Sequence, residues 1–268
     1  MRSIPRRTLL TGALGLAASP ALAARAEPWI AYEGRLRGLL ADPPGGDFDP
    51  EFEQTLLDLN NIFRDRQGRG ALAWDKGLSL AARAHAADIA TTGVFDHMTR
   101  EGYSPAGRVG LLARDLIGAP GENIAMRRNA SGAVRTEQIM EQWKTSPGHR
   151  ANLLAPGFTH VGYGVLRQGL RVYAVGAYAQ VVARLAAPAP LRVASTDAIA
   201  RALTNATPSI EQFSVSEPGG EILTTTYVEG VPGRPPPRLA PGAWQLRPHL
   251  ITSERNYLVA WGPVFVLS

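Results

Sequence analysis

The hydrophobic period of this sequence changes once, near residue 160, and that change bounds what the chain can fold into. Before it, apolar residues recur every three to four positions: Phe52, Leu56, Leu59 and Phe63, then Leu78, Ala82, His85 and Ile89. Each set predicts an amphipathic helix. Asp49 followed by Pro50 is a start signal for the first, and Gly93 a stop for the second. A helix is also expected over 131–145, with Val134, Ile139, Met140 and Trp143 as its apolar members, ending before Pro147. After residue 160 the period is two. Val161, Tyr163 and Val165 alternate with Gly162 and Gly164, and a Gln168-Gly169 turn leads into the Val- and Tyr-rich run 171–182, which reads as a β-hairpin. Helices first and a hairpin last predict an α+β layered domain over 50–185.

The flanks differ in texture. Residues 24–49 hold one helical pattern, 28–41, and a Pro43-Pro44-Gly45-Gly46 break. Residues 186–268 hold 11 of the 21 prolines, a short helical pattern at 196–203, and strand-like runs at 222–228, 243–246 and 257–267. A small β-rich C-terminal domain is expected there. Between 94 and 130 the chain is Gly-rich and polar, with a single short helical candidate at 105–112, and reads as loop.

Residues 1–23 read as an export signal: Arg2, Arg6 and Arg7 without an acid, an apolar stretch from Leu9 to Ala18, and a small-residue site at Ala21-Leu22-Ala23. The Arg6-Arg7 pair resembles the twin-arginine type, with the general secretory route as the alternative. The segment is too short to span a membrane. The signal also accounts for most of the net charge of +5. Without it the chain is close to neutral and holds no Lys/Arg-rich block, which excludes a nucleic-acid partner. The chain has no cysteine. Disulfides, thiolate metal sites and a Cys nucleophile are therefore excluded, and core packing alone must hold the fold.

Five histidines are the candidates for chemistry. His85 falls on an apolar helical face and reads as a core or boundary side chain, while His160 and His249 have strand-edge contexts. His97, in Gly93-Val94-Phe95-Asp96-His97, and His149, in Ser146-Pro147-Gly148-His149-Arg150, each follow a helix, and Gly121-Glu122-Asn123 lies in a break between them. Two neutral imidazoles with a carboxylate can hold Zn²⁺ or a similar divalent ion. Without a metal, Glu122 can hydrogen-bond the imidazoles and favour their charged form. Ser146 before Pro147 has the signature of a helix N-cap, and Asn123 that of a loop brace. Gly162 and Gly164 lack the third glycine and following helix of a dinucleotide site and read as permissive strand positions.

These motifs, in this order, resemble the CAP superfamily of cysteine-rich secretory, antigen 5 and pathogenesis-related proteins, in its bacterial SCP-domain form. The resemblance runs over about half the chain, through Asn60-Asn61, Arg64, Gly70-Ala71-Leu72-Ala73-Trp74-Asp75, Phe95-Asp96-His97, Arg108, Gly121-Glu122-Asn123-Ile124-Ala125, Trp143, Ser146 to Arg150, Phe158 and Val161-Gly162-Tyr163-Gly164. It implies an α-β-α sandwich with a central antiparallel sheet and a surface cleft holding two histidines and two glutamates, with divalent metal on the histidines in some members. His97, His149 and Glu122 match that set, and Ser146 stands at the second glutamate. The family has no common catalytic activity.

The expectation is an exported monomer, periplasmic or extracellular, that binds a small molecule, lipid or cell-envelope partner without catalysis. A metal-assisted hydrolase or peptidase in the same cleft is the first alternative. A lipid- or sterol-binding protein is the second, with Tyr103, Leu111, Leu112, Leu116 and Ile117 of the 99–120 segment either bordering a pocket or packing on the sandwich. Exposed-looking Trp244, Tyr257 and Trp261 suit a partner surface on the tail, with core packing as the plainer reading.

Overall fold

The computed structural model describes residues 3–5, 26–129, 133–210, 212–220, 222–228, 239–253 and 256–268. Of the expected export segment only Ser3–Pro5 are described, as a short strand β1 (Ser3–Pro5). The export reading itself lies outside the described residues.

The chain divides into two compact units, the first made of Ala31–Ala113 and Pro120–Val181. In chain order its elements are the end of α1 (Ala26–Ala41), α2 (Pro50–Asp65), β2 (Ala73–Trp74), α3 (Lys76–Thr92), α4 (Pro105–Leu112), most of β3 (Leu116–Arg128), α5 (Thr136–Thr145), α6 (Pro147–Leu154), β4 (His160–Gln168) and most of β5 (Arg171–Arg184). The Asp49 carboxylate accepts the Phe52 N–H at 2.9 Å and starts α2. The Asp75 carboxylate accepts that of Leu78 at 2.8 Å and starts α3, which Gly93 ends in the left-handed region at φ 71°. Helix α5 begins at Thr136, later than the apolar pattern suggests, with Arg135 as its extended N-cap and residues 133 and 134 in neither helix nor strand before it.

The sheet of this unit has the order β2-β4-β5-β3, with β4 and β5 antiparallel and the two-residue β2 joining β4 in parallel. The pleat of β4 sorts the helices onto two faces. Val161, Tyr163 and Val165 pack with Phe52, Leu56, Met140, Trp143 and Leu153 of α2, α5 and α6. Gly162 and Gly164 face α3 instead, so closely that a Cβ at either would lie 2.0 to 2.1 Å from an α3 backbone nitrogen. Their role is more specific than permissiveness: a side chain of any size would push α3 off the sheet. Helices on both faces make this an α-β-α sandwich within an α+β fold.

One expectation is overturned. Residues 116–128, read as loop, form β3, and Gly121-Glu122-Asn123 lies within that strand. Gly118, Pro120 and Gly121 interrupt any alternating pattern, and the strand exists because β5 supplies its ladder partner.

The second unit comprises the described parts of Met1–Ile30, with Arg114–Ala119 and Val182–Ser268. It adds β6 (Arg192–Val193), α7 (Thr196–Thr204), β7 (Gln212–Ser216), β8 (Ile222–Val228), β9 (Gly242–Ser253), β10 (Asn256–Val259) and β11 (Val264–Leu267). Its sheet runs β1-β10-β9-β11-β6, with β7 pairing both β8 and β9. Trp244, Leu246, Phe213, Val215 and Phe265 form its core with Ile199 and Leu203 of α7. Trp244 and Tyr257, exposed-looking in sequence, are buried, and Trp261 is half-buried under the Arg247 guanidinium, 3.6 Å from its ring centroid. Trp244 and Tyr257 are buried because their strands are flanked on both sides, β9 by β10 and β11 and β10 by β1 and β9. Leu111 and Leu112 of the first unit, and Leu116 and Ile117 of the second, are likewise buried in ordinary packing.

Candidate functional site

Strand β3 places Glu122 at the centre of the first unit's polar cluster. Gly121 comes before it because the Phe158 ring lies against that position, 2.5 Å from where a Cβ would stand. Asn123, next along the pleat, turns to the opposite side. Its carboxamide donates to the His149 carbonyl at 3.1 Å and its oxygen accepts from Asn152 at 2.9 Å, while Asn152 also donates to the Glu122 carbonyl at 3.0 Å. These bonds tie α6, and so His149, to β3.

Both oxygens of the buried Glu122 carboxylate are engaged. Oε1 lies 2.9 Å from His97 Nδ1, and Oε2 accepts from Arg108 Nη2 at 2.8 Å. Arg108, fully buried on α4, also donates to the His97 carbonyl at 2.8 Å and to the Tyr103 carbonyl at 3.2 Å. One guanidinium thus fixes both the carboxylate and the backbone of the histidine that the carboxylate holds. His85, buried on α3, reaches the Asp96 carbonyl at 3.0 Å and stands 3.7 Å from Glu122 Oε1.

Burial works against the Glu122 charge, but Arg108, His85 and His97 outweigh it and hold its pKa at about 2. The hydrogen bond to Glu122 raises His97 above the ordinary imidazole value. Burial lowers His149, with repulsion from His97 adding to it, and pushes His85 down to about 4. At neutral pH the cluster therefore holds an ionised Glu122, a neutral His85 and a His97 biased toward its charged form. A carboxylate only accepts, so His97 donates through Nδ1 and presents Nε2 outward from a half-exposed ring.

The structure brings His97 and Glu122 into direct contact and places Asn123 on the backbone of His149. It does not join Ser146 to them: Ser146 sits between α5 and α6 at the N-cap of α6, and its side chain makes no capping hydrogen bond. The carbonyl of Ser146 does the local work instead, accepting the Arg150 N–H at 2.8 Å. Two members of the cluster were not marked as functional by sequence. His85 is buried, as its helical face indicates, yet borders Glu122; Arg108 is the pivot. The signal for Arg108 is a lone charge inside the apolar helix Pro-Ala-Gly-Arg-Val-Gly-Leu-Leu, where a buried partner is the natural explanation.

The donor set tests the metal expectation. Glu122 has spent both oxygens, His97 keeps Nε2, and His149 Nδ1 is buried without a hydrogen-bond partner. Among the described residues no group of three His, Cys, Asp or Glu is arranged to hold an ion. The donors left over for an ion are these two imidazole nitrogens.

Residues 57–180 match the family model of the cysteine-rich secretory protein family, CAP. The chain is 35% identical over 118 residues to the uncharacterized protein YkwD of Bacillus subtilis, covering 44% of each. It is 34% identical over 116 residues to the uncharacterized membrane protein YlbC of the same organism, covering 43% of this chain and 32% of that one. The chain thus spans less than half the length of these relatives. Among solved structures it resembles an extracellular SCP-domain protein of Bacillus anthracis, at 28% identity and a TM-score of 0.43, covering 49% of this chain and 41% of that one. It also resembles an outer surface protein of Borrelia burgdorferi, at 18% identity and a TM-score of 0.45, covering 51% and 98%.

Proposed function

We propose, for a chain whose residues 57–180 form a CAP domain, that it is an exported monomeric module that binds a ligand or partner at His97 and His149 and performs no chemistry there. The observation that carries this reading is the commitment of Glu122. A general base works best with a pKa near the operating pH and a free lone pair on the reacting proton. Glu122 departs from this: it is held at about 2, and its carboxylate is buried and already bonded to His97 and Arg108. Its role is to fix the His97 tautomer and aim Nε2 outward, as a carboxylate behind a binding imidazole does.

The ligand that fits has a polar head for the two imidazoles and an apolar arm, because Phe95 and Met98, on either side of His97 in sequence, are both exposed. A lipid or other amphiphile has that form, and so does an apolar peptide end of an envelope protein. A divalent ion such as zinc is the second reading, favoured by the outward Nε2 of His97 and the unpartnered Nδ1 of His149. Such an ion would supply a coordination point for a ligand's oxygen or nitrogen. Export, to the periplasm or beyond the cell, rests on the basic, apolar and Ala-Leu-Ala segments of 1–23. No helix among the described residues is long and apolar enough to cross a membrane.

Calorimetric titration of the chain lacking residues 1–23 with zinc chloride and with a series of fatty acids tests this. Binding of at least one, lost in both His97→Ala and His149→Ala, is the expected result. Turnover of peptide or ester libraries that disappears in Glu122→Ala would overturn the non-catalytic reading.

A further inference from the structure

Helix α1 lies before the family-matched region, which begins at residue 57. Its inward face nevertheless ends on the residues that hold His97. Tyr32, buried on α1, stacks on Tyr103 with ring centroids 3.9 Å apart and planes within 7°. Tyr103 supplies the carbonyl that Arg108 Nη1 binds, and the Tyr32 hydroxyl interacts with the Arg108 guanidinium itself. One turn along α1, Arg35 pairs with both oxygens of Glu101 at 2.9 and 3.2 Å and stands 3.6 Å from Asp88 on α3.

Between these grips runs the stretch 93–104, which holds His97 and contains neither helix nor strand. Its own hydrogen bonds are short-range: Met98 N–H to the Asp96 carboxylate at 2.9 Å, Thr99 N–H to the Tyr103 carbonyl at 3.1 Å, Gly102 N–H to the Thr99 carbonyl at 2.9 Å, and Tyr103 N–H to the Thr99 hydroxyl at 3.2 Å. A loop whose own bonds are all short-range takes its position from the elements that grip it. One end follows Gly93 at the close of α3, the middle is held by His85 of α3 at Asp96 and by Arg108 of α4 at His97, and the other end is held by α1 at Glu101 and Tyr103.

We propose that Tyr32 and Arg35 of α1 are positioning residues of the candidate site. They hold the 99–103 turn, and through it and Arg108 they set the Glu122–His97 bond and the outward aim of His97 Nε2. This makes α1 an integral part of the site, and it rests on the reading of His97 and Glu122 as the functional pair.

Arg35→Ala and Tyr32→Phe, each in the full chain without residues 1–23, test this. Arg35 is one third exposed, but its removal also takes a cation from the buried Asp88, so urea unfolding of both variants accompanies the site readouts. Tyr32→Phe keeps the ring stack and removes only the hydroxyl. The readouts are the ring-nitrogen spectrum of neutral His97, amide exchange over 98–103, and zinc affinity. In wild type His97 should carry its proton on Nδ1. Arg35→Ala is expected to speed exchange over 98–103 by roughly tenfold and to bring in the Nε2-protonated tautomer, with the spectrum of His160 unchanged. Tyr32→Phe should alter the His97 tautomer ratio with smaller effects on exchange.

Wild-type tautomer and wild-type exchange in both variants would overturn the proposal. So would a global loss of stability that moves His160 and His97 alike. Wild-type protein that binds neither zinc nor fatty acid, but whose variants shift His97 selectively, would sink the binding reading and leave the positioning role standing.

Discussion

Arg108 Nη2 and Glu122 Oε2 stand 2.8 Å apart with both side chains almost wholly out of water. A buried pair of this kind is costly to break from one side, because the surviving charge keeps its desolvation penalty and loses its partner. Arg108→Met is therefore expected to destabilise the protein by about 3 to 5 kcal/mol, read from urea unfolding at pH 7. Adding Glu122→Gln to it should recover part of that loss. A double variant whose loss equals the sum of the two single losses would show that the pair is not coupled.

The same pair sets an acid limit. The Glu122 pKa is depressed from 4.5 to about 2, so its contribution to stability is present in full above the unfolded value and is lost as pH falls through the folded one. Stability should decline between pH 4.5 and pH 2, by about 3 kcal/mol from this group. In Glu122→Gln the decline over that window should be shallower. The two unfolding curves, taken at matched ionic strength, decide it.

Proton NMR of the imidazole C2–H signals should separate three histidines of the cluster. His97 should titrate above 6.5, His149 below it, and His85 near 4. For His97 the sign is opposite to that of Glu122: its favourable interaction is present in full below 6.5 and fades as pH rises through its raised pKa. Glu122→Gln should bring His97 down toward the ordinary value while changing His149 little.

Gly162→Ala and Gly164→Ala should each cost about 3 kcal/mol or more, since the added carbon meets α3 backbone rather than a side chain that can turn away. Gly148→Ala, in α6 with open space around it, is the control and should be neutral or stabilising by up to about 1 kcal/mol. Thermal melts of the three variants against wild type give the comparison.

How much of this was legible follows from how local each signal is. The helices α2 and α3 were readable because their caps, Asp49 and Gly93, sit beside their apolar faces in the chain. His97, Glu122 and His149 stood out through short motifs in recognisable order. The strand around Glu122 did not, because Gly118, Pro120 and Gly121 erase the alternation and only pairing across the sheet restores it. Arg108 was visible as a family position but not as the pivot: its bonds to His97, Tyr103 and Glu122 join places that no window of sequence holds together. Trp244 and Tyr257 carry no local mark of whether they face a partner or a core, and the place of β9 and β10 inside the sheet decides it.

The ring-nitrogen spectrum of His97 in the wild-type chain, at a pH above its titration, reads directly whether Glu122 anchors it. A single dominant tautomer protonated at Nδ1 is expected, replaced by a mixture in Glu122→Gln. A wild-type spectrum dominated by the Nε2-protonated form, unchanged in Glu122→Gln, would contradict it.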